Sequence, residues 1–144
     1  MIIADTNVVS EFMKDKPDST VLAWAQGLDA ADLTICVVTV EEIERGLGRL
    51  PDGKRHRNLE QRWHKLVDAF SDTIAVYDVA AARATAGILV SAEAGGRPMA
   101  LADAQIAGIC VASGSALATR NVRDFDRVAG LGVVNPFDRL CDSE

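Results

Sequence analysis

The chain has 144 residues, 49 % hydrophobic and 25 % charged, the mixture of one globular domain (residues 1–144) that can bury its own core. Its three cysteines, Cys36, Cys110 and Cys141, are odd in number and widely spaced, so they suggest neither a disulfide framework nor a thiolate zinc site. The formal charge of −6 speaks against a nucleic-acid partner, because phosphate contacts require Lys and Arg, unless the basic residues are gathered in one place.

The first seven residues, Met1-Ile2-Ile3-Ala4-Asp5-Thr6-Asn7, are a short apolar run ending in a carboxylate with polar neighbours. Such a run predicts a strand buried on both faces, with Asp5 at its carboxyl end, where α/β sheets bind their ligands. The alternative reading of Asp5 is a cap for the following helix, Asn7 to Lys14. Asp18 or Ser19 then caps a second helix that carries Val21, Leu22, Trp24, Ala25 and Leu28. Leu33 to Val38 predicts a second strand, which delivers the chain to Thr39-Val40-Glu41-Glu42 and a helix through Ile43, Leu47 and Leu50.

From Lys54 to Phe70, the residues Leu59, Trp63, Leu66, Val67 and Phe70 form one apolar helical stripe. Between Arg45 and Lys65, seven basic residues face two acids, a local +5 that leaves −11 for the rest of the chain. This segment is read either as a solvated surface or as a basic face for an anionic partner. His56, Glu60 and His64 lie four residues apart, which at about 1.5 Å rise per residue spreads them too far for one metal ion.

Thr73 to Tyr77 predicts a third strand, Val79 to Ala94 a long helix ended by Gly95-Gly96, and Met99 onward a helix closed by Gly114. Ala116 to Thr119 predicts a fourth strand, followed by a helix from about Asp124 and a last edge strand over Gly132 to Pro136. Cys36 and Cys110 fall in apolar runs and read as small core residues. No apolar segment approaches the roughly 20 residues of a membrane span, so a cytoplasmic protein without membrane association is expected. Strands alternating with helices demand a parallel sheet with right-handed crossovers, in a three-layer α/β/α sandwich.

Asp5, Glu42, Asn121 and Asp124 all fall past the carboxyl ends of predicted strands, and Asp103 opens the helix that feeds the fourth strand. Each has a structural reading of its own. Thr39 and Glu42 fit a capping box, Asp103 suits the first-turn dipole, and Asp124 suits an N-cap. Together, however, they would place several carboxylates in one crevice, where like charges repel unless a cation is present. Oxygen ligands without His or Cys point to a hard divalent ion, Mg²⁺ or Mn²⁺.

Four segments in order, Ile3-Ala4-Asp5-Thr6-Asn7, Thr39-Val40-Glu41-Glu42-Ile43, Leu101-Ala102-Asp103-Ala104-Gln105-Ile106-Ala107 and Ala118-Thr119-Arg120-Asn121-Val122-Arg123-Asp124-Phe125, resemble the PIN-domain ribonucleases. Within these, the chain is similar to the VapC and FitB toxins of bacterial toxin–antitoxin pairs. The resemblance covers essentially the whole chain. It implies a PIN-like sandwich in which Asp5, Glu42 and Asp103 hold Mg²⁺ with Thr119 in support, and a metal-dependent ribonuclease. It also implies an RNA substrate, a small cognate antitoxin and a homodimer. Many relatives carry Asp directly after the Thr-Arg pair; here that position is Asn121, and Asp124 follows three residues later.

Two other classes fit less well. A phosphatase with a strand-end Asp nucleophile wants a second Asp where this chain has Asn7. A phosphoaccepting receiver domain wants a Lys at a late strand end, whereas no Lys follows Lys65. A PIN-like RNA-binding domain impaired in catalysis stays open because of Asn121.

Overall fold

Ile2, Ile3 and Ala4 form β1 (Ile2–Ala4), the strand around which the sheet is assembled in this computed structural model, which describes residues 1–138. Ile3 points into one core cluster and Ala4 into the other, so β1 is covered on both faces as its apolar run predicts. The sheet order is β2 (Leu33–Thr34), β1, β3 (Ala116–Ala118) and β4 (Val133–Val134), and every pairing is parallel. Ile3 lies opposite Thr34 on one side and opposite Leu117 on the other. The chain therefore leaves β1 toward β2 and later returns to its opposite side. The strand order reverses between β1 and β3, which places a ligand crevice at their carboxyl ends.

Seven helices cover the sheet among the described residues: α1 (Thr6–Phe12), α2 (Ser19–Gln26), α3 (Val37–Gly48), α4 (Lys54–Phe70), α5 (Val79–Ala94), α6 (Leu101–Ser113) and α7 (Val122–Phe125). Val8, Val21, Ile43, Leu47 and Trp63 bring the first four helices into one cluster. Ala81, Ile106, Ile109 and Phe125 bring the last three into the other. This is the expected three-layer α/β/α arrangement. Full burial of a side chain such as Ile3, Ile106 or Trp63 stabilises the fold by roughly 1.5–3 kcal/mol before ordering costs are counted. None of the described helices is long and apolar enough to cross a membrane.

Aspartate caps start three of the seven helices, α1, α2 and α5. Asp18 accepts from the amides of Thr20 and Val21, at 2.8 and 3.4 Å, and Asp78 accepts from Ala81 N at 2.9 Å. Gly114 ends α6 in the left-handed conformation (φ 67°), which favours glycine.

Two predicted strands are shorter than expected. Leu33–Val38 is a strand only over Leu33–Thr34, because Val37 already belongs to α3 and its amide bonds to Ala75 O at 2.9 Å. Thr73–Tyr77 makes a single parallel bridge, Ala75 to Cys36, and its Val76 and Tyr77 are exposed, so its apolar character reflects no buried ladder. The capping box is also absent. α3 begins at Val37 with Cys36 at the cap position, so Thr39 is the third helical residue and its hydroxyl is turned elsewhere.

Cys36 and Cys110 are buried, and burial pushes the Cys110 thiol up to about 12, which makes it an inert packing group. Cys141 lies outside the described residues. Arg62, from the basic segment, donates to Met13 O at 2.8 Å and pairs with Asp15, tying α4 to the end of α1. His56 and His64 approach Glu60 singly, at 3.7 and 3.9 Å, as helical neighbours.

α5 and α6 cross closely because Gly108 presents no side chain. A Cβ there would stand 2.1 Å from Thr85 Oγ1 and 2.8 Å from Ala81 O. Thr85 fills the gap by donating to Ala81 O at 2.8 Å. This crossing fixes α6, whose first turn carries Asp103.

Candidate active site

Asp5 stands at the end of β1 as the N-cap of α1, and its Oδ1 accepts from Thr6 N at 2.8 Å. Its other oxygen faces β3. Thr119 Oγ1 donates to Asp5 Oδ2 at 2.8 Å, across the gap where the strand order reverses, and Asn7 Nδ2 donates to the same oxygen at 3.1 Å. Asp5 is therefore a cap and a member of a larger polar network at once. Asn7 braces this network from both ends, since Nδ2 also donates to Thr119 Oγ1 at 3.2 Å and Oδ1 accepts from Arg120 N at 3.1 Å.

Glu42 comes from the second turn of α3. Thr6 Oγ1 donates to Glu42 Oε1 at 2.7 Å, and with its proton so used it accepts from Thr39 Oγ1 at 3.1 Å. Two hydroxyls in series thus hold one carboxylate, and Thr39 is fully buried beneath them. Thr6, Asn7 and Thr39 are site residues that sequence reasoning did not assign. The signal for Thr6 and Asn7 was the polar Asp-Thr-Asn triplet at the strand end, and for Thr39 its spacing from Glu42, read there as a capping box.

Asp103 joins from α6, and Asp124 from α7, and both line one cleft of about 460 Å³ between α5, α6 and α7. Burial, followed by the charges of Asp5, Asp124 and Glu42, pushes the Asp103 carboxyl up to about 6. Burial also raises Asp5, with Glu42 adding to the rise while the Thr119, Thr6 and Asn7 hydrogen bonds oppose it. Asn121 takes a different position. Its amide N donates to Thr119 Oγ1 at 3.0 Å, but its exposed side chain caps nothing. The acidic partner that Asp103 feels from this segment is Asp124.

Among the described residues no Lys, Arg or His forms an ion pair with Asp5, Glu42, Asp103 or Asp124. Nor do three His, Cys, Asp or Glu side chains form a closed coordination sphere as they stand. The donor chemistry nevertheless fits a hard cation. The donors are oxygens only, they repel one another, and among the described residues none of them is in an ion pair.

Metal-free protein is expected to feel this repulsion as a pH effect. Folded Asp103, with a pKa raised to about 6, retains a proton that the unfolded chain releases near 3.8, so its contribution to stability falls as pH rises between those values. In chelator, Asp103→Asn should melt above wild type at pH 7, and the difference should shrink as pH falls to 4. A melting difference that is zero or negative at pH 7 would contradict the assignment.

The PIN domain family matches residues 2–131, which span both strands of the crevice and all four acids. The chain belongs to the PIN-domain family. Relatives run the full length of this PIN domain. "VapC ribonuclease Y4jK" of Sinorhizobium fredii is 35 % identical over 139 residues, covering 96 % of this chain and 99 % of that protein. "Toxin FitB" of Neisseria gonorrhoeae is 32 % identical over 138 residues, covering 95 % and 99 %. Among solved structures, "Structure of FitAB bound to IR36 DNA fragment" superposes with a TM-score of 0.89 at 31 % identity, covering 99 % of both chains. The α/β fold with its all-parallel four-stranded sheet is thus that of the PIN domain.

Proposed function

We propose that the chain is a Mg²⁺-dependent ribonuclease, with Mn²⁺ as an alternative ion, and that it acts in the cytoplasm as the toxin of a toxin–antitoxin pair. The observation that carries this reading is the set of carboxylates, in no ion pair among the described residues, at the switch point between β1 and β3. Relatives named as a ribonuclease, a toxin and a "tRNA(fMet)-specific endonuclease VapC" support it.

Asp5, Glu42 and Asp103 would hold the ion, with Thr119 fixing Asp5 and Thr6 fixing Glu42. When bound, the ion supplies an acidified water and offsets charge on the scissile phosphate. Asp124, exposed and lining the same cleft, would accept a proton or complete the acid set. Basic residues of the Arg45–Lys65 segment that make no ion pair among the described residues, such as Arg49 and Arg57, would draw in the RNA backbone.

Asp124→Ala should therefore lower cleavage roughly 10- to 100-fold, the scale of groups that support a metal set, whereas Asn121→Ala should cost much less. Side-by-side rates on one RNA decide the matter; the reverse order would assign the fourth position to Asn121.

A small antitoxin encoded beside this chain would silence the site by placing an Arg fork among its carboxylates. The solved neighbours include toxin–antitoxin complexes such as "Crystal Structure of FitAcB from Neisseria gonorrhoeae". Phe12, Trp24, Leu47 and Leu50 belong to or pack against the first core cluster, which leaves only their outer edges for such a partner. The silenced assembly would hold two copies of this chain.

The test is expression of the chain alone and with the neighbouring reading frame, scored by growth, by the mass of the purified material and by digestion of total RNA with Mg²⁺ or chelator. Arrested growth alone, rescue by the neighbour and chelator-sensitive cleavage are expected. RNA binding without cleavage would instead favour the impaired domain, for which Asn121 is the one motivation.

A further inference from the structure

The cleft that contains Asp103 and Asp124 extends well past them. Its apolar lining comes from Ala84 and Ile88 on α5, Met99 ahead of α6, Val111 on α6, and Val128 after α7. Its volume of about 460 Å³ lies in the range of roughly 300–1,000 Å³ that small ligands occupy. Three arginines stand in the same wall. Arg97 is held in place, donating to Arg123 O at 2.9 Å with its other amino group 3.8 Å from Asp126. Arg123 and Arg127 form no ion pair among the described residues.

Gly87 adds a separate observation. It lies inside α5, where glycine costs about 1 kcal/mol relative to alanine, and a Cβ there would meet nothing within 4 Å. Helix packing does not require this glycine. A Cβ added there would stand in open space, and Gly87 lines the cleft, so a large side chain at this position can be used to fill it.

We propose that this cleft is the subsite for one nucleobase of the RNA, next to the phosphodiester that is cut. The inference rests on the ribonuclease reading above. A base has two apolar faces, which aliphatic and thioether walls can sandwich, and it is tethered to phosphates on both sides. One of these would lie at the carboxylates and the other would meet Arg123 or Arg127.

The experiment compares wild type with Gly87→Phe, Gly87→Ala and Arg127→Ala, after melting curves establish that each is folded. Total RNA is digested with Mg²⁺ and the cut ends are sequenced. Rates are then measured on short RNAs that carry either the preferred nucleotide or an abasic residue beside the cut. Wild type should prefer particular nucleotides at one position flanking the cut. Gly87→Phe should lose roughly 10- to 100-fold in kcat/KM on the preferred RNA while matching wild type on the abasic one. Gly87→Ala, which fills little space, should keep the preference, and Arg127→Ala should raise KM on both RNAs with little change in kcat. If Gly87→Phe retains the wild-type preference and rates, the subsite is overturned and the ribonuclease stands. If it instead loses only its affinity for the antitoxin, the cleft is a protein-docking groove and the inference is again overturned. Absence of cleavage by wild type would sink the ribonuclease reading itself.

Discussion

Asp5→Asn is expected to lower RNA cleavage by about three orders of magnitude or more while leaving a folded protein. Asn has the same shape and keeps one acceptor, so either the Thr6 amide or the Thr119 hydroxyl remains bonded. The amide nitrogen would face a donor on the other side, a loss that relief of carboxylate repulsion offsets in part. What disappears is a charged oxygen ligand. On the proposed reading, several kcal/mol of transition-state stabilisation would depend on a bound ion, and each 1.36 kcal/mol is tenfold in rate. Single-turnover cleavage with Mg²⁺, alongside a melting curve, is the measurement. Retention of a tenth of the wild-type rate by a properly folded Asp5→Asn protein would remove Asp5 from the site.

Gly108→Ala should be the most damaging of the single-methyl additions. The new Cβ would lie 2.1 Å from Thr85 Oγ1 and 2.8 Å from Ala81 O, and the second of these is backbone that no rotamer change can move. α5 and α6 must separate, and the Thr85 bond to Ala81 O is strained or lost. Overpacking costs typically 1–3 kcal/mol, and loss of a buried hydrogen bond about 1 more. Set against a total stability of about 5–15 kcal/mol, this should lower the melting temperature by about 10 °C or more. Cleavage should fall as well, because α6 carries Asp103 one and a half turns upstream. Thr85→Ala in the same chain should restore part of the loss. A Gly108→Ala protein that melts within about two degrees of wild type (~0.5 kcal/mol) would mean that the helices do not cross as closely as described.

The parallel sheet and the position of Asp5 were legible because one short apolar run ending in a carboxylate carries both messages. β3 was legible in the same way, from Ala116 to Thr119. The second strand was not, because Leu33 to Val38 is uniformly apolar, and only the Ala75 carbonyl that receives the Val37 amide shows where the chain turns helical. The same ambiguity produced the capping box. Thr39 and Glu42 have the right spacing for one, but tertiary contact with Thr6 takes both side chains. Arg97, Arg123 and Arg127 were passed over for a different reason. They are dispersed along the chain, whereas the cluster from Arg45 to Lys65 is dense, and density along a sequence says little about convergence in space.

The hydrogen bond from Thr119 to Asp5 joins positions 114 residues apart, with β1 waiting between β2 and a strand that is synthesised far later. Until Ala116–Ala118 has left the ribosome, β1 has one neighbour in the sheet and Asp5 lacks the hydroxyl that holds it. Such long-range closure comes late in folding, since the loop entropy must be overcome before the contact stabilises anything. The centre therefore cannot assemble on a nascent or prematurely ended chain, and a cell that makes this protein meets it only as a finished molecule.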